Sequence, residues 1–188
     1  MAYLNLASIR FCTESEGPGK RFAIWVQGCE RRCPGCCNLD MQEIRKNIIV
    51  DTKNLIELIQ KSMAMNEIEG LSFIGGEPML QAEGLSEIAK WAHSVGLTTL
   101  VFTGYLLSEL KSMENASVEK FLTEIDLLVD GPFIQEQYDT ERDWIGSKNQ
   151  KIHFLSNAYK SGIELEKQEH QMEVLISEKD ILVNGWPY

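Results

Sequence analysis

Cys29, Cys33 and Cys36 stand in a C-x3-C-x2-C spacing with Cys37 directly after them, so four of the chain's five cysteines fall within nine residues. Gly28, Pro34 and Gly35 supply turn chemistry along that stretch. The apolar run Phe22-Ala23-Ile24-Trp25-Val26 before it reads as a buried strand. Thiolates converging from one short loop at the end of a strand are suited to a metal centre. Structural zinc asks for four closed ligands, usually as two separated pairs. Here there is one triplet, no histidine nearby and no second C-x2-C. An iron–sulfur cube as a rule takes four thiolates, and three would leave one iron open to another ligand. A disulfide fits poorly in a chain without an evident export signal. The triplet favours an iron–sulfur centre, with zinc or an incidental grouping as the alternatives.

A second stretch, Gly75-Gly76-Glu77-Pro78, follows the short apolar run Gly70-Leu71-Ser72-Phe73-Ile74. Taken alone it is a tight turn with a proline stop. Taken as a site, its glycines permit close backbone approach to a ligand, and a carbonyl or Glu77 can receive an ammonium group.

In this order and spacing, the cysteine triplet and Gly-Gly-Glu-Pro resemble the signature of the radical S-adenosylmethionine (SAM) enzymes. The resemblance implies a [4Fe–4S] cluster on Cys29, Cys33 and Cys36, which are then the catalytic and metal-binding residues. It also implies that Gly75, Gly76, Glu77 and Pro78 bind SAM, and that SAM is cleaved reductively to a 5′-deoxyadenosyl radical. Asp126-Leu127-Leu128-Val129-Asp130-Gly131-Pro132-Phe133, the segment Arg142 to Gln150, Gly35 and Asn38 are similar to the anaerobic ribonucleotide-reductase activating proteins. That resemblance runs from about Arg21 to Leu155. It implies an oxidoreductase that installs a glycyl radical on a large partner enzyme, with flavodoxin or ferredoxin as the kind of reductant required. The family commonly has an aromatic residue directly after the third cysteine, where this chain has Cys37. That thiol is read as an apolar substitute, as a group facing the site, or as an alternative ligand. Thr103 and Asp130, at strand ends, are expected either to contact SAM's ribose or a cation, or to cap and turn the chain. Trp144, Ser147, Asn149 and Gln150 are expected to form a lid or partner-docking loop, or else to tie down their own loop. The competing functions are direct modification of a peptide or small molecule, and a non-enzymatic iron–sulfur or zinc protein.

The elements that must position these residues follow from the hydrophobic pattern. Helical segments are expected from Asp51 to Met63, from Ala82 to Val95 with a stop at Gly96, and less regularly from Leu106 to Leu122, where Asn115 can break it. Strands are expected at 22–26, 70–74, 97–102, 125–129 and 151–155, after an entry strand and turn in the first twenty residues. This alternation is the pattern of a parallel sheet with crossover helices, and such sheets bind ligands at their C-terminal edge. The fold class expected is α/β, an incomplete radical SAM β/α barrel. A C-terminal β-hairpin at about 171–184 is expected after a charged linker, all in a single domain of residues 1–188 with its core at about 21–155.

At 188 residues the chain is long enough for a substantial core. A net charge of −10 argues against a general nucleic-acid or anionic-membrane surface. With no signal peptide evident and no apolar run near the length of a membrane span, a cytoplasmic setting is expected. Cys12 reads as a small core residue, and His93, His153 and His170 show no carboxylate arrangement that marks an acid–base pair.

Overall fold

β2 (Arg21–Val26) is buried at all six of its positions, because both faces of this strand are covered. The computed structural model describes residues 2–166, 172–176 and 181–185. Around β2 stand β1 (Tyr3–Thr13), β3 (Ile48–Asp51), β4 (Gly70–Gly75), β5 (Thr98–Phe102), β6 (Leu127–Asp130) and β7 (Lys151–Phe154). They form a seven-stranded sheet of order β3-β1-β2-β4-β5-β6-β7. β2, β4, β5 and β6 run parallel, while β3, β1 and β7 join antiparallel at the two sides. The result is a mixed α/β architecture.

The period of two along each strand sorts side chains into two layers. Phe22, Ile24, Leu71, Phe73 and Val101 face the helices, where α1 (Thr52–Asn66) contributes Leu55 and Ile59 and α2 (Ala82–Ser94) contributes Leu85, Ile88 and Ala92. The alternate residues Ala23, Trp25 and Ile74 cluster on the other face with Met41 and Phe102. Leu100, Leu127 and Val129 continue that face and pack with Ile145.

Local chemistry sets the helix ends. Asp51 caps α1, its carboxylate accepting the Asn54 N–H at 2.8 Å. Past α2, Gly96 takes the left-handed conformation, φ 83°. The less regular segment expected over 106–122, which Asn115 can break, is two helices, α3 (Leu107–Ser112) and α4 (Ala116–Thr123). Asn115 separates them and caps the second by accepting the N–H groups of Ser117 and Val118. β3 was not anticipated; its exposed Ile48 and Ile49 gave no alternation.

β8 (Met172–Ile176) and β9 (Ile181–Gly185) pair antiparallel as a separate two-stranded sheet. The intervening 177–180 lie outside the described residues, as do His170 and most of the expected linker. Among the described residues, no helix is long and apolar enough to cross a membrane.

Candidate functional site

The parallel strands end at Val26, Gly75, Phe102 and Asp130, and the loops that leave them surround one cavity of about 600 Å³. Cys29, Cys33, Cys36 and Cys37 line it from the first loop, Gly75, Gly76 and Glu77 from the second, and Thr103 and Gly104 from the third. Trp25, Ile74 and Phe102 form its apolar wall.

Backbone hydrogen bonds fix the cysteine loop. Gly28 and Cys29 donate to the carbonyls of Met41 and Gln42 at 2.8 and 3.1 Å, which closes the loop on its own return. Gln27, buried beneath, donates from Nε2 to Glu43 O at 2.7 Å and accepts from Asn47 Nδ2 at 3.1 Å. The glycine loop locks onto this unit: Gly76 N–H donates to Val26 O and Glu77 N–H to Gly28 O, both at 2.8 Å. A Cβ on Gly76 would stand 2.2 Å from Gly28 O and 2.8 Å from Met41 O, so only glycine fits there.

Glu77 is 1% exposed. Its Oε1 accepts from Met79 N–H at 3.0 Å and Thr103 Oγ1 at 2.7 Å, and its Oε2 from Gly104 N–H at 2.8 Å. Burial pushes its carboxyl up, opposed by those three donors. The expectation that Glu77 receives a ligand's ammonium group meets a side chain engaged by its own loops. Pro78 is buried at the start of a 3-10 turn and does not line the cavity.

The sulfurs differ in setting. Burial raises the Cys29 thiol, opposed by the N–H groups of Arg32 and Arg31 directed at it. Cys36 is brought down to about 6, chiefly by a hydrogen bond from the Cys37 thiol, against its burial, and with help from Asn38 N–H and the Gln42 side chain. The Asn38 N–H lies 3.4 Å from Cys36 Sγ. Cys37 is raised, because it is the donor in that pair and because it is desolvated. Both cysteines line the cavity. Cys12, in β1, is partly buried against the core.

These residues fit an iron–sulfur cluster by their donor chemistry. Three sulfurs open on one cavity, and backbone N–H groups point at two of them, a feature that tunes such clusters. Among the described residues, no three His, Cys, Asp or Glu side chains close around a single-ion point.

Other expected residues fall elsewhere. Asp130 is buried beside the cavity without lining it. Its Oδ2 accepts Leu107 N–H at 2.7 Å and lies 2.8 Å from His153 Nε2. His93 likewise sits 3.0 Å from Glu124 and 3.1 Å from Asp126. The expectation of histidines without carboxylates is corrected in both cases: the partners come from separate strands and loops, which sequence spacing does not reveal. Thr103 Oγ1 serves the Glu77 lock and accepts Tyr105 N–H at 3.2 Å.

Trp144 and Gln150 line the cavity, while Ser147 and Asn149 do not. All but Trp144 bond within their loop. Ser147 Oγ accepts Ile134 N–H, Asn149 Nδ2 donates to Pro132 O, and Gln150 joins Gly131 O to the Gly146 and Ser147 N–H groups. Arg142, 2.7 Å from Asp139, closes the same loop. Sequence reasoning did not single out Ser8, Arg10, Glu16 or Asn184, which also line the cavity. They arrive from the antiparallel edge and from β9, where no motif marks them.

Residues 15–153 match the 4Fe-4S single cluster domain family. The chain is 36% identical over 152 residues to the anaerobic ribonucleoside-triphosphate reductase-activating protein of Vibrio cholerae, covering 73% of this chain and 89% of that one. It is 34% identical over 146 residues to the protein of the same name from Escherichia coli K12, covering 74% and 91%. Among solved structures, QueE from Escherichia coli is similar at a TM-score of 0.46 and 15% identity, over 54% of this chain and 53% of that one, too partial a likeness to bear on function. The chain thus belongs to the 4Fe-4S single cluster domain family and, within it, to the anaerobic ribonucleoside-triphosphate reductase-activating proteins.

Proposed function

We propose that this protein activates an anaerobic ribonucleoside-triphosphate reductase by installing a glycyl radical on it. When bound, a reduced [4Fe–4S] cluster supplies the electron that splits SAM into methionine and a 5′-deoxyadenosyl radical, which takes a hydrogen atom from the partner's glycine. The observation that carries this reading is the backbone lock between the cysteine loop and Gly75–Glu77 at the mouth of one cavity. Cys29, Cys33 and Cys36 would hold the cluster. Gly75 and Gly76 line the cavity where SAM's amino group would sit, and Glu77 holds the second and third loops in register. Trp25, Ile74 and Phe102 keep water from the apolar side, where a carbon-centred radical must survive.

Thr103 serves this site through Glu77, and Asp130 by fixing the start of α3. We read the sheet as an incomplete barrel with the β8–β9 pair as its C-terminal extension, in one radical SAM domain. The electron would come from a carrier of the flavodoxin or ferredoxin class. A cytoplasmic enzyme with no nucleic-acid or membrane partner accords with the net charge of −10. The test is anaerobic: the reconstituted protein, dithionite, SAM and the reductase of the same organism are mixed and examined by electron paramagnetic resonance. A glycyl doublet on the reductase that requires SAM is expected. SAM cleavage with no radical on the reductase would assign another substrate.

A further inference from the structure

The cavity has a polar end that the chemistry proposed above leaves unused. β1 slips register twice against β2, between Leu6 and Ser8 and between Arg10 and Thr13. Irregularities of this kind re-aim side chains, and Ser8 and Arg10 both line the cavity. Arg10 donates from Nη1 to Ile9 O at 3.3 Å, while its Nε is buried with no hydrogen-bond partner among the described residues. From β9, Asn184 lines the same cavity at 7% exposure, and its buried Nδ2 has no hydrogen-bond partner among the described residues either. Next to it, Gly185 N–H donates to Glu16 Oε1 at 2.9 Å, so the Glu16 carboxylate sits beside that amide, within reach of the Arg10 charge. The placement is held: Glu173, the cross-strand neighbour of Asn184, accepts Glu14 N–H at 2.8 Å.

Buried donors without partners cost free energy, of the order of 1–3 kcal/mol each, unless a ligand satisfies them. The ligand must offer acceptors to Arg10 and Asn184, and a donor beside them suits Glu16. A peptide main chain offers that alternation of C=O and N–H, the pairing by which extended segments are recognised. A glycine has no side chain, so its polar contacts are those of its main chain. Arg10 and Asn184 both fall outside the residues matched by the family.

We propose that Arg10, Glu16 and Asn184 form a main-chain recognition subsite for the glycine-bearing segment of the partner enzyme. The two donors take its carbonyl oxygens, and Glu16 accepts one of its N–H groups. This rests on the activase reading above and names how that partner is held.

The test uses the reconstituted holoenzyme, with the anaerobic ribonucleoside-triphosphate reductase of the same organism as titrant and the glycyl radical signal as readout. Asn184→Asp keeps the shape of the side chain and replaces the donor with an acceptor. Arg10→Met keeps most of the stem and removes the guanidinium. Each is expected to raise the half-saturating reductase concentration about tenfold, roughly the factor of one buried hydrogen bond, with cluster iron and sulfide equal to wild type. Val174→Ser, on the exposed outward face of β8, is expected to leave half-saturation unchanged. Unchanged half-saturation in both subsite variants overturns the proposal. So does a rise with Val174→Ser alone, which would move docking to the outer apolar face. If Asn184→Asp also lowers the melting temperature, Arg10→Met alone decides. A wild-type protein that cleaves SAM yet leaves no radical on the reductase overturns the activase reading itself, and is recognised because no variant is needed to see it.

Discussion

Glu77 accepts three hydrogen bonds, from Met79, Thr103 and Gly104, in a space closed to water. An ionised carboxylate is acceptor-only and matches three donors. Glu77→Gln would turn an NH2 group toward one of them, leaving two donors face to face. The expected loss is about 1–3 kcal/mol of stability, read from urea unfolding of the apoprotein. Glu16 gives the opposite test. Its ordinary value is 4.5, and burial raises it to about 7, more than the Gly185 N–H opposes. Between those values the folded chain holds the proton that the unfolded chain has released. Stability therefore falls as pH rises from about 4.5 to about 7, and below 4.5 the contribution is fully present. Glu16→Gln is expected to flatten the decline of melting temperature across that window relative to wild type. An unchanged slope would contradict the burial of this carboxyl.

The cysteine loop is positioned by another loop rather than by a helix or strand. Gly76 lies against two backbone carbonyls of that loop, and neither is free to give way. Gly76→Ala is therefore expected to cost about 1–3 kcal/mol, the range of overpacking, and to lower iron incorporation on reconstitution. Iron content equal to wild type would show that the two loops are not coupled. Beneath the loops, Phe73 of β4 meets Phe121 of α4 edge-on with ring centroids 5.6 Å apart, both fully buried. Phe73→Ala is expected to cost about 3–5 kcal/mol by urea denaturation. Much of this level was legible in advance. The parallel strands announced themselves as apolar runs, and the glycine and cysteine clusters just beyond them marked the edge where loops meet. The break at Asn115 was legible as cap chemistry. β3 was not, since half of its residues face solvent and its pairing with β1 is decided across forty residues of intervening chain, roughly.

Over the whole molecule, a sheet of four parallel strands gathers its loops at one edge, and an antiparallel strand with a two-stranded extension closes the cavity from the side. The contributions from within the loops could be read from sequence, because residue type and spacing there carry the chemistry. Those of Arg10, Glu16 and Asn184 could not, since they depend on the register of β1 against β2 and on where β9 rests. The loop containing Ser147, Asn149 and Gln150 shows the same limit. Its polar residues suit a docking surface and a self-tied loop equally well, and only the partners of each side chain separate the two. The central claim is that Cys29, Cys33 and Cys36 carry a cluster that opens SAM. The most direct measurement is anaerobic reconstitution with iron and sulfide, reduction by dithionite, addition of SAM, and assay of 5′-deoxyadenosine and methionine. The account predicts both products from the wild-type protein and neither from Cys33→Ala; a protein that takes up a single zinc and no cluster, or equal product from the variant, would contradict it.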